Sequence, residues 1–116
     1  MTQQVYARAR ELADVEAGKQ EKMLQILCWA ALTALSARLR PEIAAEEYEA
    51  PLVEAASLYA LAALWEVDPV NNCLQVRLGD MTLQPDSKGI AAQCLRQQAD
   101  KLLLPYSRDG FIFQGV

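Results

Sequence analysis

The 116-residue chain contains no histidine. Histidine is the side chain that most often serves as a general acid or base near neutral pH, activates serine or cysteine nucleophiles, and binds zinc or iron. Its absence excludes Ser-His and Cys-His catalytic pairs and most zinc and iron sites. The five glycines are spread singly, so no glycine-rich loop is present to hold a nucleotide phosphate.

Cysteine is scarce, and its placement is uninformative for catalysis. Cys28, Cys73 and Cys94 are scattered and form no C-x-x-C pair, and each lies among apolar residues. Such cysteines are typically reduced, half-buried and inert, and behave as small hydrophobic side chains. The sequence therefore predicts neither a disulfide scaffold nor a metal centre.

Long uncharged segments are also missing. The longest runs from Met23 to Ala37 and contains Gln25, Thr33 and Ser36, which makes it too short and too polar for the roughly 18–20 apolar residues of a spanning helix. The basic N-terminal residues MTQQVYARAR precede no apolar stretch of the kind that a secretion signal has. We therefore expect a soluble cytoplasmic protein with no membrane contact.

Bases are absent from one part of the chain. Seven acids and no base lie between Glu42 and Asp68, whereas the remainder holds eight acids and eleven bases. The net charge of −4 argues against nucleic-acid binding as the main function. The uneven distribution has two interpretations, a dipolar surface suited to head-to-tail protein contacts or simply a solvated helix face.

Apolar residues, in contrast, are abundant. They make up 53% of the chain without counting glycine, against about 45–50% with glycine in typical soluble domains. This content excludes intrinsic disorder, and the length fits one domain. The excess implies either an alanine-rich, dense core or apolar surface that another chain covers.

The hydrophobic pattern predicts helices over residues 2–17 and 19–40. It also predicts a helical segment over residues 41–66 in two pieces, 42–50 and 52–65, with Pro51 restarting or kinking the helix. The stretch from Met23 to Leu35 is apolar on almost every face, so we expect the second helix to be central. Leu52–Trp65 is equally apolar. A chain this short cannot enclose both, and at least one should meet a neighbouring subunit.

Periodicity changes after residue 73. Leu74, Val76 and Leu78 alternate with polar residues before Gly79-Asp80, which predicts a short β-hairpin or an extended excursion near residues 74–84. A last helix is expected over 87–104, with Ser87 as its cap. The segment after it ends in the bulky triplet Phe111–Phe113, which must dock either on its own domain or on a partner.

The predicted fold is therefore mainly α, a small bundle of four to five helices with a hairpin and an extended C-terminal tail. We assign residues 1–105 to one helical domain and residues 106–116 to a docking tail. No residue stands out as catalytic: Glu46 and Glu47 fit a solvated helix face, Asp80 fits a turn, and Tyr59 fits the core. We expect no enzyme activity, no cofactor and no metal.

Three stretches carry a resemblance to a known family. They are YARARELADVE followed by MLQILCWAALTALSARLR, then AASLYALAALWE followed by VRLGDMTLQ, and finally AAQCLRQQADKLLLPYSRDGFIFQGV. In this order they resemble the small head–tail connector proteins (neck adaptor or head-completion proteins) of tailed bacteriophages and prophages. The resemblance covers most of the chain and rests on pattern and size.

The resemblance implies a structural role. Family members are helical bundles that form rings, often of twelve subunits in the virion, beneath the portal protein. The ring extends the DNA channel, through which DNA only passes, and presents a platform for stopper or tail-completion proteins. Such a protein would be found in the host bacterial cytoplasm during assembly and then in the virion neck.

A ring subunit needs contact surfaces for its neighbours and for the portal. The residues that we predict to form them are Leu58, Leu61, Trp65, Val76, Leu78, Met81, Leu83, Tyr106, Phe111, Ile112 and Phe113. A different interpretation remains open, in which the chain is a small cytoplasmic helical module that regulates a partner by binding it through a groove.

Overall fold

The computed structural model describes residues 2–13, 19–39, 41–67, 75–78, 80–84 and 89–106. These residues form helices α1 (Thr2–Leu12), α2 (Lys19–Ser36), α3 (Ala45–Val67) and α4 (Ile90–Leu103), with a 3-10 turn at Leu104–Tyr106. Strands β1 (Val76–Leu78) and β2 (Met81–Leu83) lie between α3 and α4 and pair antiparallel, with Val76 opposite Leu83. The mainly helical fold with a small hairpin is thus confirmed. Of the predicted tail 106–116, Tyr106 ends the 3-10 turn and packs half-buried against the core, and residues 107–116 lie outside the described residues.

Helix α3, not α2, is the centre of the bundle. It packs against α1, α2 and α4, and it buries side chains on nearly every face: Leu52, Ala55, Ala56, Ser57, Leu58, Ala60, Leu61, Ala62, Leu64 and Trp65. Its alanines have little side-chain bulk, so neighbouring helices can approach closely. The prediction that the second helix is central was wrong, because helical periodicity shows that a face is apolar but not what covers it.

By length and composition, the α3 segment Glu46–Val67 could cross a membrane. Within the fold, 56% of its most apolar window is buried. A core helix of a folded domain has the same composition, and the packing of three helices around α3 accounts for it here.

Pro51 does not divide α3 as predicted. The helix runs through it without interruption, with Pro51 as the seventh of 23 residues. Proline has no N–H, so the carbonyl of Glu47 loses its usual partner four residues on. The burial of Leu52 and the residues after it offsets that loss, and the packed helix therefore continues.

Several helix ends differ from the sequence prediction, since α2 ends at Ser36 instead of residue 40 and α3 begins at Ala45 instead of residue 42. Helix α1 stops at Leu12, five residues early, and Ala13 forms an antiparallel bridge with Val76 of β1. This bridge fastens the hairpin to the bundle, which a two-stranded ribbon requires for stability. Helix α4 begins at Ile90 after Gly89, whose φ of 73° lies in the left-handed region that favours glycine. Ser87, the predicted cap, lies outside the described residues.

Polar side chains join the central helix to α1. The Arg8 guanidinium donates to both carboxylate oxygens of Glu54, with Nε–Oε2 at 2.5 Å and Nη2–Oε1 at 3.1 Å. The buried Ser57 hydroxyl lies 3.0 Å from the Val5 carbonyl and 2.7 Å from the Val53 carbonyl. Glu54 and Ser57 of α3 thus bind Arg8 and Val5 of α1, and these polar contacts hold the two helices together.

Candidate interaction surface

The predicted contact residues divide by their position in the fold. Leu58, Leu61, Trp65 and Val76 are at most 4% exposed, so their own domain already covers them. Leu78, Leu83 and Tyr106 are half-buried and pack against the same core. The Met81 side chain and Phe111, Ile112 and Phe113 lie outside what the structure describes. Core packing explains why the first four are apolar, and their role as contacts stays a prediction.

A different apolar surface is exposed, on the side of α2 that faces away from α3. Ile26 and Trp29 are each 61% exposed and Met23 is 36% exposed. We call this surface the α2 outer face and define it by six exposed residues: Met23, Ile26, Trp29, Ala30, Thr33 and Ala34. Spacings of three and four residues place them on one side of a helix.

The opposite side of α2 provides its attachment to the bundle. Leu24, Cys28 and Leu35 are fully buried, while Leu27, Ala31 and Leu32 are half-buried and pack against the core. The near-complete apolar circumference of α2 thus has two uses. One half belongs to the core, and the other half exposes large apolar side chains to solvent in the single chain.

This side of α2 also carries polar groups. The Thr33 hydroxyl donates to the Trp29 carbonyl at 2.9 Å. That hydrogen bond satisfies the hydroxyl within the helix, so a protein partner would not need to supply an acceptor. Lys22, four residues before Ile26, is exposed on the same side of the helix and adds a charge beside the α2 outer face. Ala30 and Ala34 contribute small apolar side chains.

Other exposed large hydrophobics in the described part of the chain are less concentrated. They are Val67, Ile90, Leu102 and Leu104, and they lie at the ends of α3 and α4. Scattered apolar side chains are normal on protein surfaces, whereas a contiguous apolar patch marks an interaction site. The α2 outer face is therefore the candidate site.

Sequence reasoning did not place the contact surface here, although the signal was present. Apolar residues on both sides of α2 predicted a helix with neighbours all round. Because α3 takes the central position instead, α2 lies at the margin of the bundle and exposes Ile26 and Trp29. The choice between the two apolar helices depended on tertiary packing.

A polar cluster fixes the end of α2 to the bundle. Tyr59 Oη donates to Asp100 Oδ1 at 2.7 Å, and Arg38 Nη1 donates to the same oxygen at 3.1 Å. The Arg38 guanidinium also lies 5.5 Å from the centre of the Tyr59 ring, a cation–π distance. These three residues, which we call the Arg38 cluster, join the segment after α2 to α3 and α4.

Asp100→Ala is expected to lower the free energy of unfolding by about 1–2 kcal/mol, because it leaves the partly buried Arg38 and Tyr59 without their shared acceptor. Urea denaturation measures the change. Glu11→Ala is the matched control, since Glu11 pairs with Arg8 at 2.9 Å on the exposed surface of α1 and such pairs contribute about 0–1 kcal/mol. Equal effects for the two variants would contradict this role of the Arg38 cluster.

The acids of the described chain are solvated or used in ion pairs. Glu42, Glu46 and Glu47 are exposed near the start of α3, whereas Glu54 pairs with Arg8 and Glu66 with Arg96. Among described residues, no three histidine, cysteine or acidic side chains lie together in an arrangement that could hold a metal ion. Among the described residues, exposed acids are concentrated near the start of α3, and Glu11, Glu66 and Asp80 are exposed elsewhere.

Cys28 is a core residue, and its burial has a consequence for pH dependence. Burial raises the pKa of its thiol to about 12 from 9.0. The unfolded chain ionises this thiol near pH 9 while the folded chain keeps it protonated. The stability that Cys28 contributes is therefore complete below pH 9 and is lost as the pH rises toward 12.

We expect the free energy of unfolding to fall as the pH is raised above 9, and to fall less steeply in Cys28→Ala. Denaturant titrations on both sides of pH 9 measure the two slopes. Burial also raises the pKa of Tyr6 and of Tyr59, which adds a decline at higher pH that both proteins share. Identical slopes just above pH 9 would show that the Cys28 thiol is not protected by the fold.

Comparisons with known proteins add no relative. No protein-family model, curated protein or solved structure matches the chain.

Proposed function

We propose that this chain is a structural head–tail connector of a tailed bacteriophage or prophage, which assembles as a ring between the portal and the stopper or tail-completion proteins. The observation that carries the proposal is the α2 outer face, with Ile26 and Trp29 each 61% exposed. Leaving such side chains in water forfeits roughly 1.5–3 kcal/mol each relative to full burial. A contact with another chain recovers that free energy.

The use of the polar groups supports the same conclusion. Arg8 and Glu54 join α1 to α3, and the Arg38 cluster joins α2, α3 and α4. These groups serve the packing of a rigid scaffold, and the scaffold presents an apolar helix face. A folded unit with an exposed apolar helix face is suited to repeated contact with copies of itself. In a ring, one surface of each subunit contacts a different surface of the next subunit. The rotation that relates neighbours then closes the ring.

The resemblance to connector proteins supplies the specific assembly. It rests on the long stretch MLQILCWAALTALSARLR, which contains α2, and on the hairpin stretch VRLGDMTLQ between two helices. The alternative function, a helical module that binds a regulatory partner, would use the same α2 outer face. The two functions differ in the partner that this face binds. A connector binds a second copy and a portal, whereas a regulatory module binds an unrelated chain.

Light scattering of the full chain over a range of concentrations tests the proposal, alone and after mixing with the portal ring that a connector's own phage or prophage is expected to encode. The expected result is a closed multimer or a chain that assembles on the portal, visible as a ring by electron microscopy. A chain that stays monomeric at every concentration and does not bind the portal ring would overturn the proposal and leave the regulatory module as the better explanation.

A double variant, Ile26→Gln with Trp29→Gln, is expected to weaken assembly at least about tenfold, because buried tryptophans dominate many protein contacts. Its fold should persist, since both side chains are largely solvent-exposed. Sedimentation measures the assembly, and circular dichroism checks the helices. Ile90→Gln is the matched control, because Ile90 is 60% exposed on α4. An equal loss of assembly in both variants would argue against the α2 outer face.

A further inference from the structure

Two apolar features of this chain lack an assigned partner. One is the α2 outer face, on which Ile26 and Trp29 are exposed. The other is the sequence Phe111-Ile112-Phe113, which follows the last described residue, Tyr106, by five to seven positions. Three consecutive bulky apolar side chains are costly to leave in water. We propose that the segment 107–116 of one copy binds the α2 outer face of an adjacent copy.

The chemistry of the two surfaces matches. The segment offers two aromatic rings and an isoleucine, and the face offers an indole, an isoleucine and a methionine beside small alanines. Aromatic pairs gain specific edge and stacking contacts in addition to the burial of area, and methionine makes favourable contacts with aromatic rings. The Thr33 hydroxyl, already bonded to the Trp29 carbonyl, adds no unpaired polar group to such a contact.

The position where the segment begins favours an adjacent copy over its own chain. The Arg38 Nη1–Asp100 Oδ1 contact of 3.1 Å places the late part of α4 near the end of α2. Trp29 lies nine residues before Arg38, about 13 Å along the helix axis, and on the side turned away from α3. A helix with its side chains is about 10–12 Å across.

The length of the segment limits how far its aromatic residues can lie from Tyr106. Phe111 can lie at most about 18 Å from Tyr106, and Phe113 at most about 25 Å, when the chain is fully extended. Reaching its own Trp29 would require a nearly straight path both along α2 and around it. An adjacent copy can place its α2 outer face beside the start of the segment, so the contact between copies requires no such extension.

A contact of this kind is head-to-tail, because a donor segment on one copy meets an acceptor face on the next. Such contacts either close into rings or continue as filaments. The inference rests on the ring assembly proposed above and names the surfaces that would join its subunits. It also explains why α2 remains apolar on a side that its own bundle leaves uncovered.

Mixing two full-length variants tests the inference. The acceptor variant Ile26→Gln with Trp29→Gln retains its donor segment, and the donor variant Phe111→Ser with Phe113→Ser retains its acceptor face. Each variant alone is expected to fail to assemble. Mixed together they should form a 1:1 dimer and nothing larger, because the single functional donor then meets the single functional acceptor. Mass photometry or light scattering distinguishes a dimer from a ring.

A direct binding measurement uses a synthetic peptide of residues 107–116. Titrated into the donor variant, it should shift Trp29 fluorescence to shorter wavelength. Calorimetry, which does not depend on Trp29, should show that the acceptor variant binds the peptide at least about tenfold more weakly than the donor variant does. Ile90→Gln in the donor background is the control and should bind the peptide as tightly as the donor variant itself.

Several outcomes would overturn the inference. Assembly of the donor variant like that of the unmodified chain would assign the ring contact to other surfaces. If the unmodified chain stays monomeric while the mixture forms the 1:1 dimer, the segment of the unmodified chain occupies its own α2 outer face. A 1:1 dimer with no binding to the portal ring would support the inference and count against the connector function, whereas portal binding without the dimer would do the reverse.

Discussion

Leu61→Ala is expected to lower the free energy of unfolding by about 2–5 kcal/mol, the range for leucine truncation in a packed core. Leu61 is 1% exposed on α3, and its neighbours Ala60 and Ala62 are fully buried. The loss should therefore lie within that range.

Urea denaturation of the monomeric chain measures this effect, with Leu102→Ala as the control. Leu102 is 37% exposed on α4, and its truncation should cost clearly less. The experiment also separates two roles for Leu61, which the sequence predicted to contact another subunit. An interface residue would leave the stability of the monomer unchanged and weaken assembly alone, and that result would contradict the burial of Leu61 in the core.

Pro51→Ala is expected to raise the free energy of unfolding by about 1–3 kcal/mol. Proline in a helix interior costs about 3 kcal/mol relative to alanine, because it removes one hydrogen bond and crowds the preceding turn. Alanine would restore the bond to the Glu47 carbonyl. The gain is smaller than the full difference, since proline also restricts the unfolded chain, an effect of about 0.4–1 kcal/mol.

Thermal or urea denaturation of Pro51→Ala measures the gain. Pro41→Ala provides the comparison, because Pro41 is exposed in the turn between α2 and α3 and blocks no bond within either helix. That variant should be neutral or slightly destabilising. A loss of stability in Pro51→Ala would mean that α3 needs the proline for its packing geometry.

Local features of the fold could be predicted from the sequence. Gly79-Asp80 between alternating segments predicted the hairpin, and the structure pairs Val76 with Leu83 across it. Helical spacing also predicted a helix over the segment that forms α4. Both signals are local, since one depends on a turn and the other on a period of 3.6 residues.

The exact extents of helices were less predictable. Pro51 is a strong local signal for a break, but α3 continues because the residues after it are buried by three other helices. Ala13 has a good helical propensity, yet it leaves α1 to bridge Val76. In each case a contact distant in sequence outweighs a local preference of a few kcal/mol or less.

The candidate site shows the same division. Composition indicated that apolar surface exceeds what one small domain can bury, and the exposed Ile26 and Trp29 agree with that expectation. The sequence pattern did not single out α2 as the helix that carries it, because α2 and α3 both have apolar residues on almost every face. Nor could it predict the Arg38 cluster, whose members are separated by 21 and 41 residues.

By itself, the sequence determined a mainly helical fold with a short hairpin and an apolar content above that of typical soluble domains. Periodicity carries the first fact and composition the second, because each depends on residue types and their spacing alone. Only the tertiary structure decided that α3 is enclosed and that α2 lies at the margin. Enclosure depends on which neighbours surround a helix, and alanine-rich α3 allows three helices to approach it closely, whereas Trp29 and Ile26 leave α2 with one bulky side in solvent.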